Sequence, residues 1–553
     1  MMHFTHKTFI KIVLSTTLAC MTTHATPPQI TVIFIIDQFA FHYLYKIKPY
    51  LTGGIKMLLD NGVQFENAHH PHAMPETAVG HAALNTGTLA KDHGIIADYW
   101  VDPASGKQIE SDEDDPITAG VFGPNNTTYT YGKGPSLLAI DGLSDQFVLQ
   151  SRPHTPHKAF ALSIKSRAAV LTAGKLAKAV WFDTATGLFT SSKAYYDKLP
   201  SWITKFNEQK KVDKLTSVQW DLFFAKTSKA YDFYDIKNYT CSSIHETRIG
   251  KPIAITQACK DKNTFEPVIL SPLGDKLVLD LAHACIEQHL TPNTRLLLWL
   301  SLSCLDLVGH RYGPDSLEAL DMIYHLDKEL KNFMHYVQKK VGHSNVLFAL
   351  TADHGVVPLH CVLQDEGIKN ARKIATQEII DQMNKSTKKN HGIDALITNC
   401  QMPQFYFDRD KIKKLPEETY NKIMQDLKTF LINTPGIKMA WSATELDTLP
   451  FDPEFQTIER FFKMQRYPGR SGDLFVQVEP FTIITRFAQG TTHESPYNYD
   501  THVPLTIYKQ GEFEHKKIFK RVYTTQFANT MAQILQVGKP SASTFELLPG
   551  IFG

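Results

Sequence analysis

The chain has 553 residues, of which 43% are hydrophobic and 21% are charged, and its formal net charge at pH 7 is +2. The hydrophobic content is ample for a buried core, and large α/β enzymes reach this length as one domain with insertions. The near-zero net charge favours neither nucleic acid nor a membrane surface as a dedicated partner.

The N-terminal segment, residues 1–25, has the pattern of a signal peptide. Lys7 and Lys11 precede an apolar stretch that is too short to span a bilayer, and residues 23–25 offer a small-residue cleavage site. A poor lipoprotein box ending at Cys20 is the alternative. Because no later segment has the length and apolarity of a membrane span, we expect an exported protein, periplasmic or secreted, without such a span.

The cysteines of the mature chain are expected to form disulfides, because an exported protein meets an oxidising environment. The sequence favours a pair between Cys241 and Cys259, which lie in a polar stretch, and suggests a second pair between Cys361 and Cys400. Cys304 is expected to be a small buried residue.

The first predicted element of the mature chain is a strand at Thr31–Ile36, which ends on Asp37. Its apolar residues are continuous rather than alternating, which is typical of a strand that is buried on both faces of a parallel sheet. Ligand sites in such sheets lie at the C-terminal ends of the strands, so Asp37 lies where chemistry is expected.

The next informative stretch is Pro75–Thr88, which the sequence predicts as a loop leading into a short helix near Thr77. The N-terminus of a helix offers free N–H groups and the positive end of the helix dipole, and both favour a bound anion.

Two later predicted strands, at 295–303 and 345–351, are also followed by polar residues suited to hold a metal. The first strand is followed by an aspartate and a histidine, and the second by an adjacent Asp-His pair. These four residues are Asp306, His310, Asp353 and His354. A further histidine cluster lies at 492–502. The carboxylate and imidazole groups of these residues are ligand types that suit zinc.

This ordered set resembles the alkaline phosphatase superfamily, within the branch shared by bacterial threonine-nucleophile alkaline phosphatases and type I phosphodiesterases/nucleotide pyrophosphatases. The resemblance covers nearly the whole mature chain, residues 26–553, as one catalytic domain. It agrees with the alternating pattern of strands and helices, which predicts an α/β fold with a doubly wound, mostly parallel central sheet flanked by helices. Residues 200–265 are predicted as a cap insertion, and residues 360–480 as an accessory subdomain.

The resemblance implies two zinc ions, and two metals about 4 Å apart can clamp a phosphoryl transfer. The implied ligands near the nucleophile are Asp37, Thr77, Asp353 and His354, and those near the leaving group are Asp306, His310 and His493. His502 remains an alternative to His493, because Glu494 replaces the glycine that usually follows the histidine in the family.

Thr77 is implied as the nucleophile, through a phosphothreonine intermediate. Lys165 and Arg167 follow the predicted strand Phe160–Ile164 and resemble the Lys-x-Arg segment of the monoesterase branch. Cations aimed at the phosphoryl oxygens favour a phosphomonoester, which carries two charges, over a diester, which carries one. The sequence therefore favours hydrolysis of small phosphomonoesters, with a phosphodiesterase or nucleotide pyrophosphatase on the same two-metal site as the alternative.

Asp98 departs from the family pattern, which has an asparagine that donates to the substrate phosphoryl group. A carboxylate donates only when protonated, and it repels a dianion. Asp98 therefore either pairs with Lys165 or Arg167 and orients that cation, or receives a cationic group of the substrate. Asp98→Asn should raise kcat/KM for a simple aryl phosphate if repulsion dominates, and lower it if Asp98 mainly orients the cations. We expect the rise. A phosphate-binding exported protein that has lost its activity is a further alternative, and it depends on Asp98 alone.

Overall fold

The computed structural model describes residues 26–552 except 125–126, 211, 213–214, 234–246, 248, 256–264 and 451–456. The segment predicted as a signal peptide and the predicted pair of Cys241 and Cys259 lie outside the described residues. Within the described ranges, no helix is long and apolar enough to cross a membrane.

A nine-stranded sheet runs through the centre of the molecule. Its strands in chain order are β1 (Ile30–Ile36), β2 (Val63–Phe65), β3 (His157–Ser163), β4 (Lys178–Asp183), β5 (Leu188–Thr190), β6 (Arg295–Leu302), β7 (Val346–Thr351), β8 (Thr506–Tyr508) and β9 (Lys516–Ile518). Their spatial order is β5-β4-β3-β6-β1-β7-β8-β2-β9. The five strands from β4 to β7 in this order are all parallel, whereas β5 and β8 pair antiparallel with their neighbours.

Strand β1 lies in the middle of the sheet, and its side chains are buried on both faces. Val32 and Phe34 belong to the core on one face, and Ile33 and Ile35 belong to the core on the other. Full burial of each such side chain stabilises the fold by about 1.5–3 kcal/mol. This two-sided burial is the reason for the continuous apolar run, so the predicted strand is confirmed.

Helices cover both faces of the sheet, which confirms the predicted doubly wound α/β fold. Two helices pack on the face of the sheet that carries Phe34, namely Pro272–His289 and Leu317–Val341. Two others pack on the opposite face, namely Leu143–Leu149 and Phe527–Leu535. Three further helices lie near the ends of the strands. They are α1 (Thr77–Thr86), α2 (Ser166–Ala173) and α3 (Cys304–Tyr312).

The remaining helices are short or lie in peripheral segments. They are His42–Ile47, Gly54–Asn61, Ala90–His93, Pro116–Ala119, Ser201–Lys210, Glu266–Ile269, His360–Asp365, Thr376–His391, Arg409–Ile412, Glu417–Ile432, Ala443–Thr448, Ile458–Gln465 and Asn498–Thr501. The small strands outside the two larger sheets are Ala68–His69, Tyr99–Val101, Gln108–Glu110, Glu113–Asp114, Gly120–Phe122, Thr128–Lys133, Ser217–Val218, Ile253–Ala254, Arg372–Ala375, Thr482–Thr485, His502–Val503 and Val522–Tyr523.

A second sheet of four antiparallel strands lies within the segment predicted as an accessory subdomain. Its strands are Ile397–Gln401, Gln404–Phe407, Ile437–Ser442 and Leu474–Val478. Its core is continuous with side chains of α1, such as Ala78 and Ala82. We propose that residues 360–480 form an accessory subdomain that buttresses α1. The predicted cap at 200–265 lies partly outside the described residues and stays a prediction.

The predicted disulfide between Cys361 and Cys400 is wrong. Cys400 is a free buried thiol in the second sheet, whereas Cys361 is disulfide-bonded and therefore has a different partner. Sequence spacing does not reveal whether two cysteines come within bonding distance, because that depends on tertiary packing. Cys304 is a buried free cysteine, as expected.

Candidate metal centre and active site

The candidate site lies where three neighbouring parallel strands end. Asp37 follows β1, Asp353 follows β7, and Asp306 lies in the first turn of α3, directly after β6. Because β6, β1 and β7 are adjacent in the sheet, their C-terminal ends bring these three carboxylates together. The side chains of all three are buried.

Helix α1 is pressed against the end of β7, and this places Thr77, its first residue, beside the carboxylates. The close approach requires a glycine at position 80, because a Cβ there would lie 2.2 Å from the carbonyl oxygen of Asp353. His81, one turn after Thr77, contacts the carbonyl of Thr77 at 2.7 Å and lies 3.2 Å from Asp353 Oδ2. Together these contacts fix the start of α1 relative to the end of β7.

Asp37, Asp353 and His354 form the first candidate metal group, with ligand atoms within 4.8 Å of one another. His354 Nε2 lies 3.3 Å from Asp37 Oδ1 and 3.6 Å from Asp353 Oδ2. In the described part of the chain, none of these three buried atoms has a hydrogen-bond partner of good geometry. Such atoms are costly to bury unless something satisfies them, and this donor set fits a zinc ion.

The electrostatics of the first group show an excess of negative charge. Burial and the neighbouring charge of Asp353 raise the pKa of Asp37 above its ordinary value, although Lys165 acts in the opposite direction. Burial disfavours the charged ring of His354, but Asp353 and Asp37 raise its pKa to about 10. The site therefore attracts positive charge, as a cation-binding site must.

Asp306, His310 and His493 form the second candidate metal group. Asp306 Oδ1 lies 3.2 Å from His310 Nε2 and 3.9 Å from His493 Nε2. The Nδ1 atoms of the two rings lie 2.9 Å and 2.8 Å from the carbonyl oxygens of Thr491 and Pro75. These outer hydrogen bonds orient both rings so that Nε2 faces the group, an arrangement typical of metal-ligating histidines.

His502, the alternative ligand in the sequence, lies elsewhere. Its Nε2 is 3.0 Å from the carbonyl oxygen of Glu66, and its ring stacks between Phe41 and His69. The structure therefore brings His493, and not His502, into the second group.

Lys165 lies between the two groups and contacts both of them. Its Nζ is 2.7 Å from Asp37 Oδ2 and 2.6 Å from Asp306 Oδ2, and it donates to Thr77 Oγ1 at 3.0 Å. Lys165 precedes α2, directly after β3, so the sheet also positions this cation. A positive charge in contact with a hydroxyl oxygen favours its deprotonated form.

Asp98 pairs with Arg167, which is one of the two arrangements that the sequence left open. Its Oδ2 lies 2.7 Å from Arg167 Nε, and its Oδ1 accepts a hydrogen bond from the backbone N–H of Ala78 at 2.8 Å. The carboxylate thus links Arg167 to the start of α1, next to Thr77.

Sequence reasoning missed several residues that surround the site, notably Gln38, Glu76 and His81. Gln38 donates to Asp306, and Glu76 accepts from the backbone N–H of Asp98. Two signals were present in the sequence: Gln38 directly follows Asp37, and His81 lies four residues after Thr77, on the same helical face.

Comparisons with known proteins agree with this geometry. The sequence model of the type I phosphodiesterase / nucleotide pyrophosphatase family matches residues 31–503. Alkaline phosphatase PhoV of Synechococcus elongatus is 29% identical over 523 residues, which cover 93% of this chain and 91% of the relative. Alkaline phosphatase PafA of Elizabethkingia meningoseptica is 28% identical over 562 residues, which cover 98% of each chain.

Solved structures show the same fold. The crystal structure of wild-type alkaline phosphatase PafA superposes with a TM-score of 0.81 at 25% identity, covering 96% of this chain and 99% of that chain. Murine ectonucleotide pyrophosphatase / phosphodiesterase 5 shares the fold alone, with a TM-score of 0.50 at 13% identity and coverage of 92% and 95%. The chain is therefore a phosphoric ester hydrolase that belongs to the type I phosphodiesterase / nucleotide pyrophosphatase family of the alkaline phosphatase superfamily.

Proposed function

We propose that this protein is an exported, zinc-dependent phosphomonoester hydrolase of the alkaline phosphatase type, which acts through a phosphothreonine at Thr77. The observation that carries the proposal is the position of Lys165, whose ammonium group contacts Thr77 Oγ1 and one carboxylate of each metal group. The full-length similarity to two proteins named alkaline phosphatase supports the same activity.

The two candidate metal groups fit zinc by their donor chemistry. Each combines carboxylate oxygens with imidazole nitrogens, and Thr77 lies beside the first group. Asp37, Asp353 and His354 would hold one ion with Thr77, and Asp306, His310 and His493 would hold the other. When bound, two zinc ions supply Lewis acidity and positive charge to a phosphoryl transfer.

The position of Thr77 supports its proposed role as the nucleophile. It is the first residue of α1, and Lys165 stabilises the negative charge that develops on its oxygen when its proton leaves. Thr77 Oγ1 forms a bond to phosphorus while the bond to the ester oxygen breaks. That oxygen leaves with the bonding electrons and takes up, through solvent, the proton that Thr77 lost, so that an alcohol is released. Water then hydrolyses the phosphothreonine, which releases inorganic phosphate and restores the hydroxyl.

Two cations are placed to recognise a dianionic phosphoryl group. Lys165 lies at the nucleophile, and Arg167 is held near the start of α1 by Asp98. Because the pairing uses Arg167 Nε, this contact leaves the two terminal guanidinium nitrogens for an anion. Two fixed cations favour a monoester over a diester by charge.

A phosphodiesterase or nucleotide pyrophosphatase is the second candidate, favoured by the family model, which carries that name. The same metal groups would serve either reaction. Relative rates on a nitrophenyl phosphate monoester and on a nitrophenyl phosphodiester distinguish the two functions.

The proposed export has two supports. The first is the signal-peptide pattern of residues 1–25. The second is the disulfide of Cys361, which indicates an oxidising compartment.

Removal of zinc is expected to abolish hydrolysis of nitrophenyl phosphate, and added zinc to restore it, because the buried carboxylates need a bound cation to activate Thr77. Metal content before and after chelation is measured together with turnover, and buffer exchange without chelator is the control. Undiminished turnover by the metal-free protein contradicts the proposed mechanism.

Thr77→Ala is expected to lower kcat by about two decades or more, because the covalent route is lost. Thr77→Ser keeps a hydroxyl and should retain part of the rate. Thr86→Ala, at the buried C-terminal end of the same helix, is the matched control and should keep near-normal kcat. Wild-type turnover by Thr77→Ala would mean that water or another group attacks phosphorus.

The double change of Lys165 and Arg167 to Ala is expected to reduce monoester hydrolysis far more than diester hydrolysis. Each charged contact contributes about 1.5–3 kcal/mol, which corresponds to about one to two decades in rate. Lys178→Ala, in β4 of the same sheet, is the control. Equal losses on both substrates show that the two cations do not recognise the second charge.

Contrary to the rise expected from the sequence alone, Asp98→Asn is expected to lower kcat/KM for nitrophenyl phosphate by roughly tenfold, or about 1.4 kcal/mol, because Asp98 is paired with Arg167. The single amide oxygen of asparagine cannot accept well from both Arg167 and Ala78, so the orientation of Arg167 is weakened. In an Arg167→Ala background, Asp98→Asn should change kcat/KM little further, because the guanidinium group that Asp98 orients is absent. A rise in kcat/KM of the single variant supports repulsion of the substrate dianion instead.

A further inference from the structure

Gln38 has a strained backbone at the centre of the site. It directly follows Asp37 at the end of β1, is fully buried, and has a φ of 65°. This left-handed conformation disfavours a residue with a long side chain. Such strain persists only where surrounding contacts enforce it, and it clusters at functional sites.

Two hydrogen bonds of Gln38 reach different metal groups. Its backbone N–H donates to Asp353 Oδ1 of the first group at 3.2 Å. Its side-chain Nε2 donates to Asp306 Oδ1 of the second group at 2.7 Å. Because a carboxylate oxygen only accepts, the amide nitrogen must be the atom that faces Asp306. One residue thus connects both groups.

The bond to Asp306 acts on the oxygen that faces the histidines. Asp306 Oδ1 is the same atom that lies 3.2 Å from His310 Nε2 and 3.9 Å from His493 Nε2. Lys165 holds the other oxygen, Oδ2. The carboxylate of Asp306 is therefore oriented from both sides, and Gln38 sets the position of its ligating oxygen.

Helix α3 leaves space for this side chain at Gly309. A Cβ at Gly309 would lie 1.8 Å from Gln38 Oε1, and its nearest neighbours are all atoms of the Gln38 amide. Gly309 lies on the helix that carries Asp306 and His310. The absence of a side chain at Gly309 therefore allows the Gln38 amide to pack closely against the second metal group.

We propose that Gln38 is a positioning residue for metal binding, which fixes Asp306 through its amide and Asp353 through its backbone and so sets the two metal groups relative to each other. This inference rests on the proposed two-zinc function. It predicts separable roles: the amide acts on the second group, and the backbone conformation acts on the first.

The test measures zinc binding by competition with a chromophoric chelator. Gln38→Met keeps the length and the backbone strain but removes the donor, and is expected to weaken one zinc site roughly 10- to 100-fold. Gly309→Ala leaves Gln38 intact but displaces its amide, and should weaken the same site. Gln536→Gly is the control, because Gln536 also has a positive φ of 53° but caps the distant helix Phe527–Leu535.

A His493→Ala background assigns the effect to one group. With the second site disabled, Gln38→Met should leave the remaining zinc affinity unchanged, because its backbone N–H still holds Asp353. If Gln38→Met and Gly309→Ala both bind the two zinc ions with wild-type affinity, the inference about Gln38 is overturned. The proposed function still stands in that case, as long as the wild-type protein binds two zinc ions and hydrolyses nitrophenyl phosphate. A wild-type protein that binds no zinc overturns both.

Discussion

Three buried carboxylates at adjacent strand ends are the constraint around which the site is arranged. Asp37, Asp306 and Asp353 share one edge of the parallel sheet because β6, β1 and β7 are neighbours. Buried charges are costly unless they are paired or bind a cation. The surrounding residues offset part of this cost by contacting the carboxylates, and a bound cation would offset the rest.

The compensation comes from several elements that converge on the same edge. Lys165 after β3 contacts Asp37 and Asp306, and Gln38 after β1 donates to Asp306 and Asp353. Helix α1 adds its N-terminus, held close to Asp353 by the glycine at position 80. Lys165 and Gln38 are fixed by the strands that they follow, and α1 is fixed by its contact with Asp353. Under the proposed function, this would provide the preorganisation that phosphoryl transfer needs.

Arg167 and Asp98, which the proposed function assigns to substrate recognition, lie next to these residues at the start of α1. Arg167 depends on Asp98 for its position, and Asp98 in turn is held by the start of α1. In the family pattern this position carries an amide that contacts the substrate. Here the carboxylate contacts a cation instead, so under the proposed function this position would act on the phosphoryl group through Arg167.

Much of the site could be predicted from the sequence, because its three carboxylates follow closely after strands with a recognisable pattern. The continuous apolar run of β1 requires burial on both faces, and the C-terminal end of such a strand places Asp37 at a ligand-binding edge. The helix Leu317–Val341 is a second case, because its apolar residues recur with the helical period and this pattern is visible in the sequence alone. These features depend on neighbouring residues in the chain.

Tertiary structure alone decided the contacts between distant segments. Gln38 and Asp306 are 268 positions apart, and the pairing of Asp98 with Arg167 was one of several possibilities in the sequence. The free thiol of Cys400 was not predicted for the same reason. Local periodicity determines which face of an element is buried, but not which partner lies opposite, because that depends on how separate elements pack together.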